Sequence, residues 1–336
     1  MWPSKSKANH PPCLLRKQTV TKRSFLSRIE ILAVATALAM CAAKPTCYSA
    51  DDKILGNKPN YGWSSVSSFS NSKAIGTKIW VPELDEGFVP QGLTFAEGQI
   101  LISLYQSKEP AVPTGPCRVY RVDPGTGIVT GGFDLPGEFG HADGLAYGGS
   151  NILYAGDTHA SVIYKIDIEK ALKDGNCNEA ILGKAEVDGA TMNPAFLTYD
   201  GSFLWFGRHN KKGSKKAKVY KVDPGRLFSP QADGDKITPD LAEGGFEIGY
   251  EAQGATFDKE GYLWVSYSGS KWGKVQKIDP AKGKVIKEYD LMAGLEDFAC
   301  APDGKLWSVS EAGAFKYLNW KTYYPLIFEI DQTKLR

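Results

Sequence analysis

Of the 4 histidines in the chain, His141, His159 and His209 stand among residues that could do chemistry; the fourth is His10. His141 and Asp143 are two apart, a spacing that puts both side chains on one side of an extended strand. A carboxylate there raises the imidazole pKa and orients the ring, as a general acid/base pair requires. Asp143 and Glu296, if the fold brings them to one partly dry mouth, repel each other. One then keeps its proton, which leaves an acid beside a base. The catalytic candidates are therefore Asp143, His141 and Glu296. The same oxygens suit a second chemistry. Asp143, Asn193 and Glu296 would be ligands for a single divalent cation, calcium by the hardness of the donors, shifting toward a transition metal if His141 and His159 joined. Arg208 and the lysines 211, 212, 215, 216 and 218 would draw in an anionic ligand in a salt-dependent way. The chain contains no HExxH, EF-hand loop, GxSxG elbow or Gly-rich phosphate loop.

An internal repeat has to position these residues. Segments beginning at Gln91, Asp143, Ala195, Gln253 and Glu296, 43 to 58 residues apart, each lead through a short apolar strand, a second strand and a third that closes on Asp123, Asp167, Asp223, Asp279 or Asp331. Four of the five units continue into a fourth strand. Four-stranded units at this period predict an all-β, five-bladed β-propeller. The fifth unit lacks its fourth strand, and residues 78–82 supply a spare one ahead of the first unit, so pairing the two closes the ring and removes both open edges. The propeller then spans residues 74–336, residues 51–73 form a loosely ordered Ser- and Asn-rich lead-in, and residues 1–50 an export segment.

Consecutive strands in a blade are antiparallel, so the start of each first strand and the end of each second strand share one face. That face collects Gln91, Asp143, Gln253 and Glu296 at one level, and His141, Asn193 and Glu251 two residues earlier. From the second strands come Tyr105, Asp157 with His159, Arg208 with His209, Tyr267, and Glu311. The expected ligand-facing residues are Gln91, Gln253, Glu251, Asn193, Asp157, His159, Arg208, His209 and Tyr267. Trp205, Trp264 and Trp307 share one strand position and are expected to pack between blades.

Composition narrows the class. The 336 residues are 42% hydrophobic, and 40 Lys+Arg against 38 Asp+Glu leave a net charge of +2. A chain of this kind buries a large core and has no basic bias toward nucleic acid. Residues 1–29 carry seven Lys or Arg and no acid, and an apolar run over 31–43 is short for a membrane span. The pattern reads as an export signal to the periplasm or exterior. Residues 21–26 resemble a twin-arginine signal with Lys22 in place of the first Arg, and residues 38–41 a lipoprotein box, the lesser reading. Cys117, Cys177 and Cys300 remain in the mature chain; their number is odd and any pairing is open.

Phe88-Val89-Pro90-Gln91-Gly92-Leu93, Ala142-Asp143-Gly144-Leu145 and Tyr324-Pro325-Leu326-Ile327-Phe328-Glu329-Ile330 resemble motifs of plant-type glutamine cyclotransferases. Those are five-bladed propellers that cyclise an amino-terminal Gln to pyroglutamate. The resemblance implies that Gln91 binds substrate and that Asp143 replaces the family's catalytic Glu, one methylene shorter. A weaker likeness joins the chain to gluconolactonase- and senescence-marker-type propellers, six-bladed enzymes that hold one axial cation through Glu, Asn and Asp. The sequence is thus read as an exported propeller binding a small molecule, peptide or partner protein at its axial mouth. Cyclisation through Asp143 and metal-dependent lactone hydrolysis are the enzyme readings beside it.

Overall fold

The structure, a computed structural model, describes residues 53–63, 65–229 and 235–336; the expected export segment lies outside the described residues. The chain enters through β1 (Ile54–Leu55) and β2 (Ile75–Trp80). Blade one is β3 (Phe88–Ala96), β4 (Gln99–Gln106), β5 (Cys117–Val122) and β6 (Val129–Asp134). Blade two is β7 (Gly144–Gly149), β8 (Ile152–Asp157), β9 (Val162–Asp167) and β10 (Ile181–Glu186). Blade three is β11 (Phe196–Tyr199), β12 (Leu204–Gly207), β13 (Ala217–Val222) and β14 (Gly244–Ile248). Blade four is β15 (Ala252–Phe257), β16 (Leu263–Gly269), β17 (Trp272–Asp279) and β18 (Lys284–Leu291). Blade five is β19 (Leu295–Cys300), β20 (Leu306–Ser310) and β21 (Leu326–Ile330), completed by β2 and then β1. The innermost strands β3, β7, β11, β15 and β19 neighbour one another in a closed ring.

The seam is the one expected. Strand β2 runs antiparallel to β21, with Ile79 opposite Ile327 and Trp80 opposite Leu326, and β1 adds in parallel. Ile79 is fully buried there. Ile79→Asp should therefore open the ring, because it strands a charge at the closing strand. Val285→Asp, on the exposed outer strand of blade four, should leave stability nearly unchanged. Equal melting temperatures for the two variants would show that the seam contributes nothing.

Local chemistry explains the repeat. The aspartates at the ends of the third strands fold their side chains back to accept backbone N–H groups: Asp123 from Thr126, Asp167 from Lys170, Asp223 from Gly225, Asp279 from Ala281 and Asp331 from Thr333. Each is an Asx-type turn that ends a strand without stranding donors. Between blades, Trp205 meets Phe257 edge-on with centroids 5.5 Å apart and Trp307 meets Phe95 at 5.7 Å; Trp264 instead stacks on Tyr289 of its own blade.

The lead-in is held more firmly than its composition suggests. Tyr323 donates its hydroxyl to the Tyr61 carbonyl and its N–H to Ser67 Oγ. Phe69 packs edge-on against Tyr324 and Tyr61 against Phe315. Tyr61, Ser67 and Phe69 thus brace the long loop 311–325 of blade five. Among the described residues no helix is long and apolar enough to cross a membrane.

Candidate functional site

The axial mouth is built by irregularities in otherwise regular strands. Pairing between first and second strands slips between Pro90 and Leu93, between Ala252 and Gly254, and between Leu295 and Phe298. Gln91, Gln253, Glu296 and Asp297 fall in these bulges, and a bulge re-aims the side chains it contains. The glycine after each Gln is a matter of space: a Cβ on Gly254 would lie 2.3 Å from the Asp297 Cα, and one on Gly92 2.6 Å from Ser103 Oγ. Asp297, fully buried, accepts N–H groups from Leu93, Leu145, Ala255 and Phe298, residues of four inner strands. It staples the ring across its axis.

At the mouth, two buried carboxyls meet. Glu296 and Glu311 lie close enough for each to shift the other's pKa. Gln253 donates to Glu296 at 2.8 Å and Gln91 to Glu311 at 3.1 Å. Burial pushes Glu296 well above the carboxyl range, and the charges of Glu311 and Asp143 push it further. Burial also raises Glu311, to about 7, against the pull of His141, Lys316, Glu296 and Gln91. Both carboxyls are thus held above the ordinary range, the behaviour of like acids that cannot both ionise.

Beside them lies an imidazole–carboxylate pair. His141 Nδ1 is 2.9 Å from Asp143 Oδ1. Asp143 also accepts the Thr158 N–H at 2.7 Å and hydroxyl at 2.9 Å. Burial pulls the His141 pKa down, but the charge and hydrogen bond of Asp143, with Glu311 and Asp157, outweigh it and leave it raised. Tyr105 stacks on the His141 ring with centroids 4.4 Å apart, and its hydroxyl lies 3.2 Å from that of Tyr317. Burial, reinforced by Glu311, keeps both phenols protonated.

The structure thus brings His141, Asp143, Glu296, Gln91 and Gln253 together. His209 is exposed, and desolvation lowers its pKa against the charges of Glu251 and Asp143. Glu251 sits in a left-handed conformation with φ 61°. Asn193 donates to the Thr158 carbonyl, and its own carbonyl oxygen is buried without a partner. Other expected residues make contacts of their own. Asp157 is fully buried and takes the N–H groups of Gly140, His141, Ala142 and Ala160, so it shapes the loop that carries His141. Tyr267 is buried and accepts the Gly249 N–H. The Arg208 guanidinium turns to the Ala190 carbonyl. His159 lines a groove of about 1120 Å³ on the outer flank of the mouth, off the axis, with Glu83, Glu86 and Arg118.

Of the oxygens proposed for a cation, both of Asp143 bond to Thr158 or His141 and Glu296 accepts from Gln253, while the Asn193 side-chain oxygen has no partner. Among the described residues no three His, Cys, Asp or Glu side chains converge on a point that would hold a metal. Cys117, Cys177 and Cys300 are free thiols.

Glu311 as the partner of Glu296, together with Lys316 and Tyr317, is what sequence reasoning passed over. Glu311 appeared only as a second-strand end. Lys316 and Tyr317 belong to loop 311–325, whose length was the one available signal.

No protein-family model matches the sequence, and no curated protein matches it. Among solved structures the chain is similar to the glutaminyl cyclase of Myxococcus xanthus, with a TM-score of 0.52 and 14% identity over 76% of this chain and 94% of that one. It is also similar to the PQQ-bound aldose sugar dehydrogenase of Streptomyces coelicolor, with a TM-score of 0.43 and 16% identity over 72% of this chain and 93% of that one. At these identities the first likeness is one of fold: a β-propeller related in architecture to a bacterial glutaminyl cyclase.

Proposed function

We propose that the axial mouth is an acid–base site that cyclises an amino-terminal glutamine, releasing ammonia. The observation that carries this reading is the buried Glu296–Glu311 pair, both raised by burial, beside His141, whose pKa Asp143 raises from 2.9 Å. The architectural likeness to a glutaminyl cyclase supports it.

The reaction forms one bond and breaks one. The substrate α-amine attacks the carbonyl carbon of its own side-chain amide, and the C–NH₂ bond breaks. The proton lost by the amine leaves on ammonia. A carboxylate with a pKa near the working pH is suited to carry that proton in both directions. Glu311 has that property, while Glu296 keeps its proton. Asp143, which the sequence put forward as the acid/base, is occupied by Thr158 and His141. Its role in this reading is to keep His141 charged and aimed at the oxygen on which negative charge develops.

The test is ammonia release from a peptide beginning with Gln, against the same peptide beginning with Glu. Asp143→Asn should cut kcat by about 10- to 100-fold, because His141 loses the charge that holds its proton, at about 1.4 kcal/mol per tenfold. If the Gln-peptide raises the melting temperature and no ammonia appears, the mouth binds ligand without chemistry and the proposal fails.

A further inference from the structure

Among the described residues Lys316 is the one buried lysine, 4% exposed, and its surroundings have the form of a binding site. Its Nζ donates to Tyr105 Oη at 2.9 Å and to the Val112 carbonyl at 2.8 Å. It lies 4.9 Å from the Tyr105 ring centroid and 5.3 Å from that of Tyr317. Among the described residues Lys316 makes no ion pair, although Glu311 is near enough for each to shift the other's pKa. Two aromatic rings, a hydroxyl, a carbonyl and a carboxylate at longer range are the elements that recognise a primary ammonium group. A lysine kept only for packing does not need them, and burying its charge without a paired carboxylate is costly.

We infer that Tyr105, Tyr317, the Val112 carbonyl and Glu311 form a subsite for a primary alkylammonium group, and that Lys316 occupies it as an internal ligand. Lys316 sits on loop 311–325 and Val112 on loop 107–116, so this occupancy also ties together two loops over the mouth. A ligand amine entering the subsite would displace the lysine and release the loops. That the subsite receives the α-amine of a peptide rests on the reaction proposed above; that it binds an ammonium group does not.

The experiment removes the internal ligand. Lys316→Ala, titrated with n-propylammonium chloride, should show a saturable rise in melting temperature of roughly 2–4 °C at about tenfold excess over Kd. The wild type should show none, nor should Lys316→Ala titrated with n-propanol or with sodium chloride at matched ionic strength. Adding Tyr105→Phe to Lys316→Ala should weaken the response. No response, or an equal response to n-propanol, overturns the site. Should Lys316→Ala not fold, Lys316→Met keeps the apolar stem, and methylammonium binding is read from intrinsic fluorescence with the same controls. The readout is binding, so the two ideas separate. A chain that binds the amine yet releases no ammonia sinks the reaction alone; an active chain whose Lys316 variant ignores the amine sinks the subsite alone.

Discussion

Asp297→Asn should lower the melting temperature by roughly 4–24 °C. Asp297 offers two oxygens to four backbone N–H groups: Leu93 and Leu145 on Oδ2, Ala255 and Phe298 on Oδ1. Asn keeps one oxygen and turns an NH₂ toward the other two donors. Each stranded buried donor costs about 1–3 kcal/mol, so the pair costs about 2–6 kcal/mol against a total domain stability of 5–15 kcal/mol. At roughly 2–4 °C per kcal/mol for a chain of this size, the shift is far outside error. The donors belong to blades one, two, four and five, so the loss should also broaden the transition. Calorimetry decides it, and a shift under about 2 °C would mean that the axis is not held by this carboxylate.

On the proposed cyclisation, Glu311→Gln carries the largest expected effect on activity, a fall in kcat of about 10²- to 10⁴-fold, the usual worth of a positioned proton shuttle. The pH profile says more than the rate. With its pKa pushed up to about 7, Glu311 is protonated below that pH and ionised above it. A shuttle that must first accept a proton works in the ionised form, so wild-type activity should climb as pH rises through about 7. The variant should lose the climb along with the rate. Stability should move the opposite way. Glu311 and Glu296 have folded pKa values above their unfolded ones, so the fold favours their protonated forms. That contribution is complete below the ordinary carboxyl range and is lost as pH rises through about 7. His141, also raised, adds to the same trend. The wild-type melting temperature should thus decline from pH 5 to pH 8.5, and less steeply in Glu311→Gln. Superimposable profiles for the two proteins would remove Glu311 from the mechanism.

By itself the sequence determined the repeat, the blade count and the closure. Those features are local. Alternation within a strand, an aspartate that caps the following turn and a spare strand ahead of the first unit are each visible within a few residues. Their consequence is fixed because an unpaired blade edge is costly. Knowing the strand directions also placed Gln91, His141, Asp143, Gln253 and Glu296 on one face. Which of these would touch was not determined. The slips in register at Pro90/Leu93, Ala252/Gly254 and Leu295/Phe298 rotate particular side chains into the axis, and such a slip depends on the neighbouring strand rather than on its own residues. Asp157 and Tyr267 fit the face in the sequence, yet the structure gives them backbone donors instead. Lys316 and Tyr317 were invisible because they arrive on loop 311–325 of a different blade from Tyr105 and Val112. A meeting across about 200 residues has no local signature. Only closing the ring brings those groups together and removes the water that would otherwise have kept Glu296, Glu311 and Lys316 at their ordinary pKa values.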